Sequence, residues 1–96
     1  MDLARRSAML DWAVRFEWNP KKAAANLAKH KVSFAEARTV FGDPLAVTID
    51  DPDSSVNENR LLTKGISIRW RMIVIAHTYG NGVVRIISAR CATKHE

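Results

Sequence analysis

Residues 83–94 read VVRIISARCATK, and this stretch decides how the rest of the chain is interpreted. Its β-branched residues predict a strand, and a strand this apolar is normally buried on at least one face. It nevertheless carries Arg85 and Arg90, and no Asp or Glu occurs between Asn59 and His95. Because a half-buried guanidinium needs an anion to pair with, we expect the anion for these arginines to come from outside the chain.

Charge is unevenly distributed along the 96 residues, which carry a net charge of +5. Residues 41–58 contain five acidic side chains and no basic one, whereas residues 59–96 contain seven basic side chains and one acidic one. This asymmetry predicts a surface of strong positive potential and a polyanionic partner. The alternative is that the acidic segment folds back and neutralises the basic one.

Length and composition indicate one soluble domain, with 47% hydrophobic and 26% charged residues. Asp11 lies where a signal peptide would be apolar, so we expect a cytoplasmic protein without a membrane segment. Cys91 is the one cysteine and cannot form an internal disulfide. No Cys/His set has the spacing of a zinc site, so no metal or cofactor is expected.

The first half of the chain predicts a short strand at residues 15–18 followed by two helices. Asn19 and Pro20 start a helix that ends at about His30, since Asn caps free amides and Pro is tolerated at the first position. Ser33 and Glu36 form a capping box for the second helix, which runs to about residue 41. The buried stripe of the first helix is expected to consist of Ala23, Ala24, Leu27 and Ala28.

The second half of the chain predicts four strands separated by turn-forming residues. They cover residues 45–49, 60–66, 70–79 and 83–94. Asn81 with its two flanking glycines is a tight hairpin signal. The fold class is therefore α+β: a short N-terminal strand, and two helices packed on one face of a four-stranded antiparallel meander. Residues 15–96 form this single domain, and residues 1–14 are a helical extension or a frayed tail.

Strand periodicity decides which side chains share a face of that sheet. In a regular strand Arg85 and Arg90 point to opposite sides. They converge on one cleft only if a bulge intervenes or if the strand ends near Ser88. Arg60 and Lys64 fall on a common side.

Several motifs occur in a specific order between residues 16 and 94. They are FEWNP (16–20), KAAANLAKH (22–30), VSFAEA (32–37), FGDP (41–44), RLLTKG (60–65), VIAHT (74–78) and RIISARCAT (85–93). Together they resemble the BrnT family of toxins, although no single motif would identify it. The chain departs from that family at Lys31, where Gly is usual, and at Lys64, where an apolar residue is usual. It also stops at Glu96, where the family usually continues into a basic C-terminal helix.

The resemblance implies a toxin ribonuclease of a type II toxin–antitoxin pair with a RelE-like fold. The partner would be a BrnA-like antitoxin that carries a ribbon-helix-helix DNA-binding domain. The complex of the two proteins would bind operator DNA and repress its own operon.

A ribonuclease without a metal must deprotonate a ribose 2′-OH, stabilise charge on the phosphate and protonate the leaving oxygen. Arginine suits the phosphate because its fork matches two oxygens. Our candidates for the phosphate oxygens are Arg60, Arg85 and Arg90, and His77 is the candidate proton carrier because its pKa lies near neutrality. The candidates for binding the RNA backbone are Lys64, Arg71 and Lys94. The simpler alternatives are surface or structural ion pairs for the arginines, and a strand-end position facing water or an aromatic ring for His77.

Two other functions remain open from the sequence. One is a non-catalytic nucleic-acid-binding regulator that uses the same basic surface, although no helix-turn-helix is evident. The other is an inactive homologue that only binds the antitoxin.

Overall fold

The computed structural model describes residues 14–52 and 59–96 of the chain. Apart from Val14, the predicted extension at residues 1–14 lies outside the described residues. The elements are β1 (Arg15–Glu17), α1 (Pro20–His30), α2 (Phe34–Thr39), a 3-10 turn (Val40–Gly42), β2 (Val47–Asp50), β3 (Leu61–Ile66), β4 (Met72–Gly80) and β5 (Val83–Cys91).

The strands of the described residues form one sheet in the order β1-β5-β4-β3-β2. Neighbours from β2 to β5 pair antiparallel, whereas β1 runs parallel to β5. The α+β class is confirmed, but this part of the chain has a sheet of five strands rather than four. β1 joins it because its extended backbone pairs with the start of β5, and Arg15 N also donates to Gly82 O over 2.8 Å.

Both helices pack against one face of the sheet. The core on that face contains Phe34, Ala37, Val40, Phe41, Ile73, Ile75, Val84, Ile86 and Ala89. Ile73 and Ile75 alternate along β4, and Val84 and Ile86 alternate along β5, as a half-buried strand requires, whereas Ala89 follows Ile86 at a spacing of three. We call the other side of the sheet the open face. The register places Arg85 of β5 there, since its neighbours in sequence point into the core.

The buried side of α1 differs from the predicted alanine and leucine stripe. Leu27 is 49% exposed, whereas Asn26 is buried. The Asn26 amide donates to Val32 O (2.9 Å) and Ala89 O (2.8 Å), and it accepts from Ala89 N (3.1 Å). Because β1 pairs with only the first three residues of β5, Asn26 serves as the hydrogen-bond partner further along that edge.

The capping box predicted for α2 is only half formed. Ser33 Oγ accepts from Glu36 N over 3.0 Å, as an N-cap does. The Glu36 carboxylate does not bond back to Ser33 but accepts from Ser67 Oγ (2.7 Å) and Arg71 Nε (2.9 Å). The side chain therefore ties α2 to the connection between β3 and β4.

Left-handed backbone occurs at two places that the sequence indicates. Lys31 ends α1 with φ 60° and ψ 29°, the conformation for which glycine is usual. Asn81 and Gly82 have φ of 53° and 75° and form the two-residue loop between β4 and β5. Positive φ at both positions matches the right-handed twist of the flanking strands.

Candidate functional site

A bulge in β5 brings Arg85 and Arg90 to the same face. The register skips Ile87, between the pairs His77–Ile86 and Ala76–Ser88. The extra residue shifts the alternation of side chains, so that Ala89 faces the core and Arg90 follows Arg85 onto the open face. The sequence predicted that the two arginines would share a face only if a bulge intervened or the strand ended near Ser88, and the structure contains such a bulge.

Two further cations lie at the ends of this face. Lys64 on β3 is in the same row as Arg90, with one strand between them. Arg60 directly precedes β3, at the end of the sheet that carries Arg85. Strand spacing and rise put the backbones of each pair about 10 Å apart and the two ends about 13–16 Å apart.

The chain itself supplies carboxylates to both arginines of β5. Arg85 Nη1 donates to Glu17 Oε1 over 2.9 Å, because β1 places Glu17 beside Arg85. Arg90 donates from both terminal nitrogens to the two Glu96 oxygens, each over 2.6 Å. The expectation that their anion comes from outside the chain is thus wrong for this structure. Both acids lie beyond the ends of the acid-free stretch at residues 59–95.

Glu96 accepts hydrogen bonds from other groups besides the Arg90 guanidinium. Thr93 N donates to Glu96 Oε1 over 2.8 Å, and Lys64 Nζ donates to the backbone oxygen of Glu96 over 2.5 Å. The hydrogen bonds from Arg90, and next the one from Thr93 N, lower the pKa of Glu96 to about 2. The same interaction raises the pKa of Arg90 above its usual value.

Arg71 is held away from the open face by Glu36. Besides the bond from Nε, Arg71 Nη2 contacts the second Glu36 oxygen and donates to Lys31 O over 3.0 Å. The hydrogen bond from Arg71 lowers the pKa of the Glu36 carboxyl, and the pKa of Arg71 is raised in turn. A buried carboxylate bonded to Nε and Nη2 of one guanidinium is a structural ion pair. Arg71 therefore does not join the other predicted RNA-binding residues.

His77 lies on the core side of the sheet and is fully buried. Its Nε2 is 2.7 Å from Thr63 Oγ1, which is in turn 2.6 Å from Thr48 Oγ1. The ring also meets Phe41 edge-on, with 5.0 Å between centroids. Burial lowers the pKa of His77 to about 4, so that the imidazole is neutral near pH 7. The structure does not bring His77 together with Arg85 and Arg90.

Sequence reasoning missed the groups that bind the cations. Glu17 lies in a three-residue strand, and only knowledge of its parallel pairing with β5 would have placed it beside Arg85. Glu96 lies in the segment after β5 that turns back, with Glu96 N donating to Thr93 O over 3.0 Å. Nothing in the local sequence signals that turn. Lys94 is exposed in the same segment.

The fold and the open face define a class of protein. Residues 14–52 and 59–96 form a two-layer α+β domain with both helices on one side of the sheet and cationic side chains on the other, an arrangement suited to phosphate groups. Among residues 14–52 and 59–96, no helix is long and apolar enough to cross a bilayer. The same residues contain no cluster of His, Cys, Asp or Glu that could hold a metal ion.

The family follows from comparison with known proteins. A family model described as the ribonuclease toxin BrnT of type II toxin–antitoxin systems matches residues 18–96, and the chain belongs to this family. A toxin of this type implies an antitoxin partner. The fold is similar to the crystal structure of the Brucella abortus ribonuclease toxin BrnT, with a TM-score of 0.64 and 21% identity over 84% of this chain and 99% of that chain. A search of curated proteins finds no match.

Proposed function

We propose that the chain is an endoribonuclease toxin of RelE-like fold that cleaves RNA without a metal ion and inhibits translation in the cytoplasm. A BrnA-like antitoxin with a ribbon-helix-helix domain would neutralise it. Operator DNA would be bound only through the toxin–antitoxin complex. Membership of the BrnT family supports the activity, and the open face supports the site.

The observation that carries the proposal is the common face of Arg85 and Arg90. Each guanidinium can donate two parallel hydrogen bonds to phosphate oxygens. Once Glu17 and Glu96 are displaced, donors held on one face of a sheet can stabilise the charge that develops in the transition state. Arginine and lysine bind phosphate but are not metal ligands, which supports the metal-free part of the proposal.

The remaining cations have supporting roles. Arg60 extends the end of the face that carries Arg85, and Lys64 extends the end that carries Arg90. Lys94 is exposed after β5 and would contact backbone phosphate. Steering of a polyanion by such a patch weakens with salt, so RNA binding should fall steeply as ionic strength rises.

Substitution of the arginines tests the proposal. We expect Arg85→Ala and Arg90→Ala each to lower the rate of RNA cleavage by the purified protein about 10²–10³-fold, as loss of one such donor typically does. Arg90→Lys keeps the charge but loses the fork, and it should fall between wild type and Arg90→Ala. Arg69→Ala is the matched control, because the side chain of Arg69 is 70% exposed in the connection between β3 and β4.

Growth arrest on induced expression, with and without a neighbouring antitoxin, tests the same site in cells. Arg60→Ala and Arg90→Ala should relieve the arrest, provided that circular dichroism shows folded protein. If both variants remain fully toxic, the assignment of the site is wrong. His77 stays a predicted proton carrier only if its replacement abolishes cleavage by protein that is still folded.

A second candidate function is an inactive homologue that binds the antitoxin. It is favoured by the carboxylates that already pair with Arg85 and Arg90, and by the position of His77 on the core side. Normal antitoxin binding with no RNA cleavage at any protein concentration would establish it.

A further inference from the structure

Glu96 accepts hydrogen bonds from donors at three different places in the fold. Arg90 in β5 contributes its two terminal nitrogens, the backbone of Thr93 contributes an N–H, and Lys64 in β3 bonds the backbone oxygen of the same residue. The two side-chain oxygens of Glu96 thus accept three hydrogen bonds, each between 2.6 and 2.8 Å. We call Arg90, Lys64 and the Thr93 N–H the anion cradle.

The donors of the anion cradle match a phosphodiester as well as a carboxylate. Both ligands present two charged oxygens on one atom, and the arginine fork binds either in the same bidentate way. A backbone N–H and a lysine ammonium beside that fork are groups that also bind phosphate in other proteins. The carboxylate of Glu96 therefore marks where phosphate oxygens would lie.

We propose that the anion cradle binds a phosphodiester group of a nucleic acid strand, and that Glu96 is an internal competitor that must leave before the phosphate enters. The inference rests on the proposed RNA substrate. It further specifies where one phosphate binds and which side chain, Glu96, competes with that phosphate for the Arg90 donors. Glu96 restrains binding because the strand has to replace an ion pair that already exists.

The strength of this restraint follows from exposure. The side chains of Arg90 and Glu96 are 40% and 31% exposed, so their pair is screened by water. Pairs of this kind contribute up to about 1 kcal/mol, which corresponds to about a fivefold change in affinity. Because the pKa of Glu96 is about 2, the competitor is charged throughout the physiological range and is displaced by ligand rather than by a change of pH.

The test uses the full chain and a thymidine hexanucleotide, which offers phosphodiesters but has no 2′-OH to be cleaved. Affinity is measured by titration at physiological salt, and the position of binding is read from the backbone amide resonances by ¹⁵N NMR. Glu96→Gln should bind the hexanucleotide about three- to fivefold more tightly than wild type, with the largest ligand-induced shift at the Thr93 amide. Glu96→Ala should bind at least as tightly as Glu96→Gln, since it removes the acceptor atoms as well.

Asp50→Asn is the charge-matched control, because Asp50 is exposed on the edge strand β2 and pairs with Leu61 rather than with the cradle. The proposal is overturned if the Glu96 variants bind no more tightly than Asp50→Asn, or if tighter binding leaves the Thr93 amide unshifted. A protein that gains affinity on Glu96→Gln but never cleaves RNA would refute the ribonuclease and retain the cradle. A protein that cleaves RNA through Arg85 and Arg90 but is indifferent to Glu96 would refute the cradle alone.

Discussion

Acid should destabilise this protein through His77. The unfolded chain binds a proton at this histidine with a pKa near 6.5, whereas burial lowers the pKa in the folded state to about 4. Because the folded pKa is depressed, the stabilising contribution is complete above about pH 6.5 and is lost as the pH falls towards 4. The shift corresponds to about 3 kcal/mol in total, at about 1.4 kcal/mol per pH unit.

A loss of this size is a large share of the 5–15 kcal/mol typical of a small domain. We expect about 2 kcal/mol to be lost between pH 7 and pH 5. Urea unfolding would show it as a fall of about 1–2 M in the midpoint, given a slope near 1–2 kcal/mol per M. Tryptophan fluorescence can report the transition, since the Trp18 ring packs edge-on against Phe34 in the core with 6.0 Å between centroids.

His77→Gln separates titration from packing. Its neutral amide can bond to Thr63 in place of the imidazole, but it cannot take up a proton in this range. The variant should be less stable at pH 7, because it loses the edge-on contact with Phe41. Its stability should nevertheless vary little between pH 7 and pH 5. The reasoning is refuted if the wild type loses no stability in that range, or if His77→Gln retains the same dependence on pH.

Three further substitutions test the fold itself by urea unfolding. Asn26→Ala should lower the free energy of unfolding by about 2–4 kcal/mol, because it leaves the Val32 oxygen and the Ala89 backbone groups buried without their partner. A loss below about 1 kcal/mol would contradict the role of this amide. Lys31→Gly should stabilise the protein by up to about 1 kcal/mol, because φ is 60° there and glycine adopts this left-handed conformation without strain. A loss of stability would show that the hydrogen bond from Lys31 Nζ to Ala28 O outweighs the backbone strain. Gly65→Ala should destabilise the protein by about 1–3 kcal/mol, because an added Cβ would lie 2.9 Å from the Cβ of Ala46. An unchanged midpoint would mean that the segment around Ala46 shifts to make room.

Local rules predicted the start and end of α1, the N-cap of α2 and the hairpin at Asn81 well. Each depends on residues within a few positions of one another, such as Asn19, whose side chain accepts from Lys21 N and Lys22 N. The α+β class could also be predicted from the sequence, because the hydrophobic periodicity of a helix or a strand is visible within a short run of residues. The sequence did not reveal that β1 would pair parallel to β5, since that contact joins residues about 70 positions apart.

The candidate site was predictable only in part. The arginines of β5 were identified, and so was the condition under which they share a face. Their carboxylate partners were not identified, because Glu17 and Glu96 reach them through long-range pairing and a turn of the chain. His77 was a reasonable proton carrier by its ordinary pKa, but that pKa depends on burial, which the alternation of β4 did not settle by itself. Asn26 was overlooked because a polar residue within an alanine-rich helix looks like part of its solvated side.

Side chains along a strand alternate between its two faces, and the unpaired residue Ile87 shifts this alternation by one position, which we call the phase shift. Arg85 and Arg90 are separated by an odd number of positions, and that spacing can serve one side of the sheet only while the phase shift is present. Without it, one guanidinium would be forced among the side chains beneath the helices, where an unpaired charge is strongly destabilising. In a related chain, two arginines with odd spacing in the last strand would therefore mark the same irregularity in the amino-acid sequence itself.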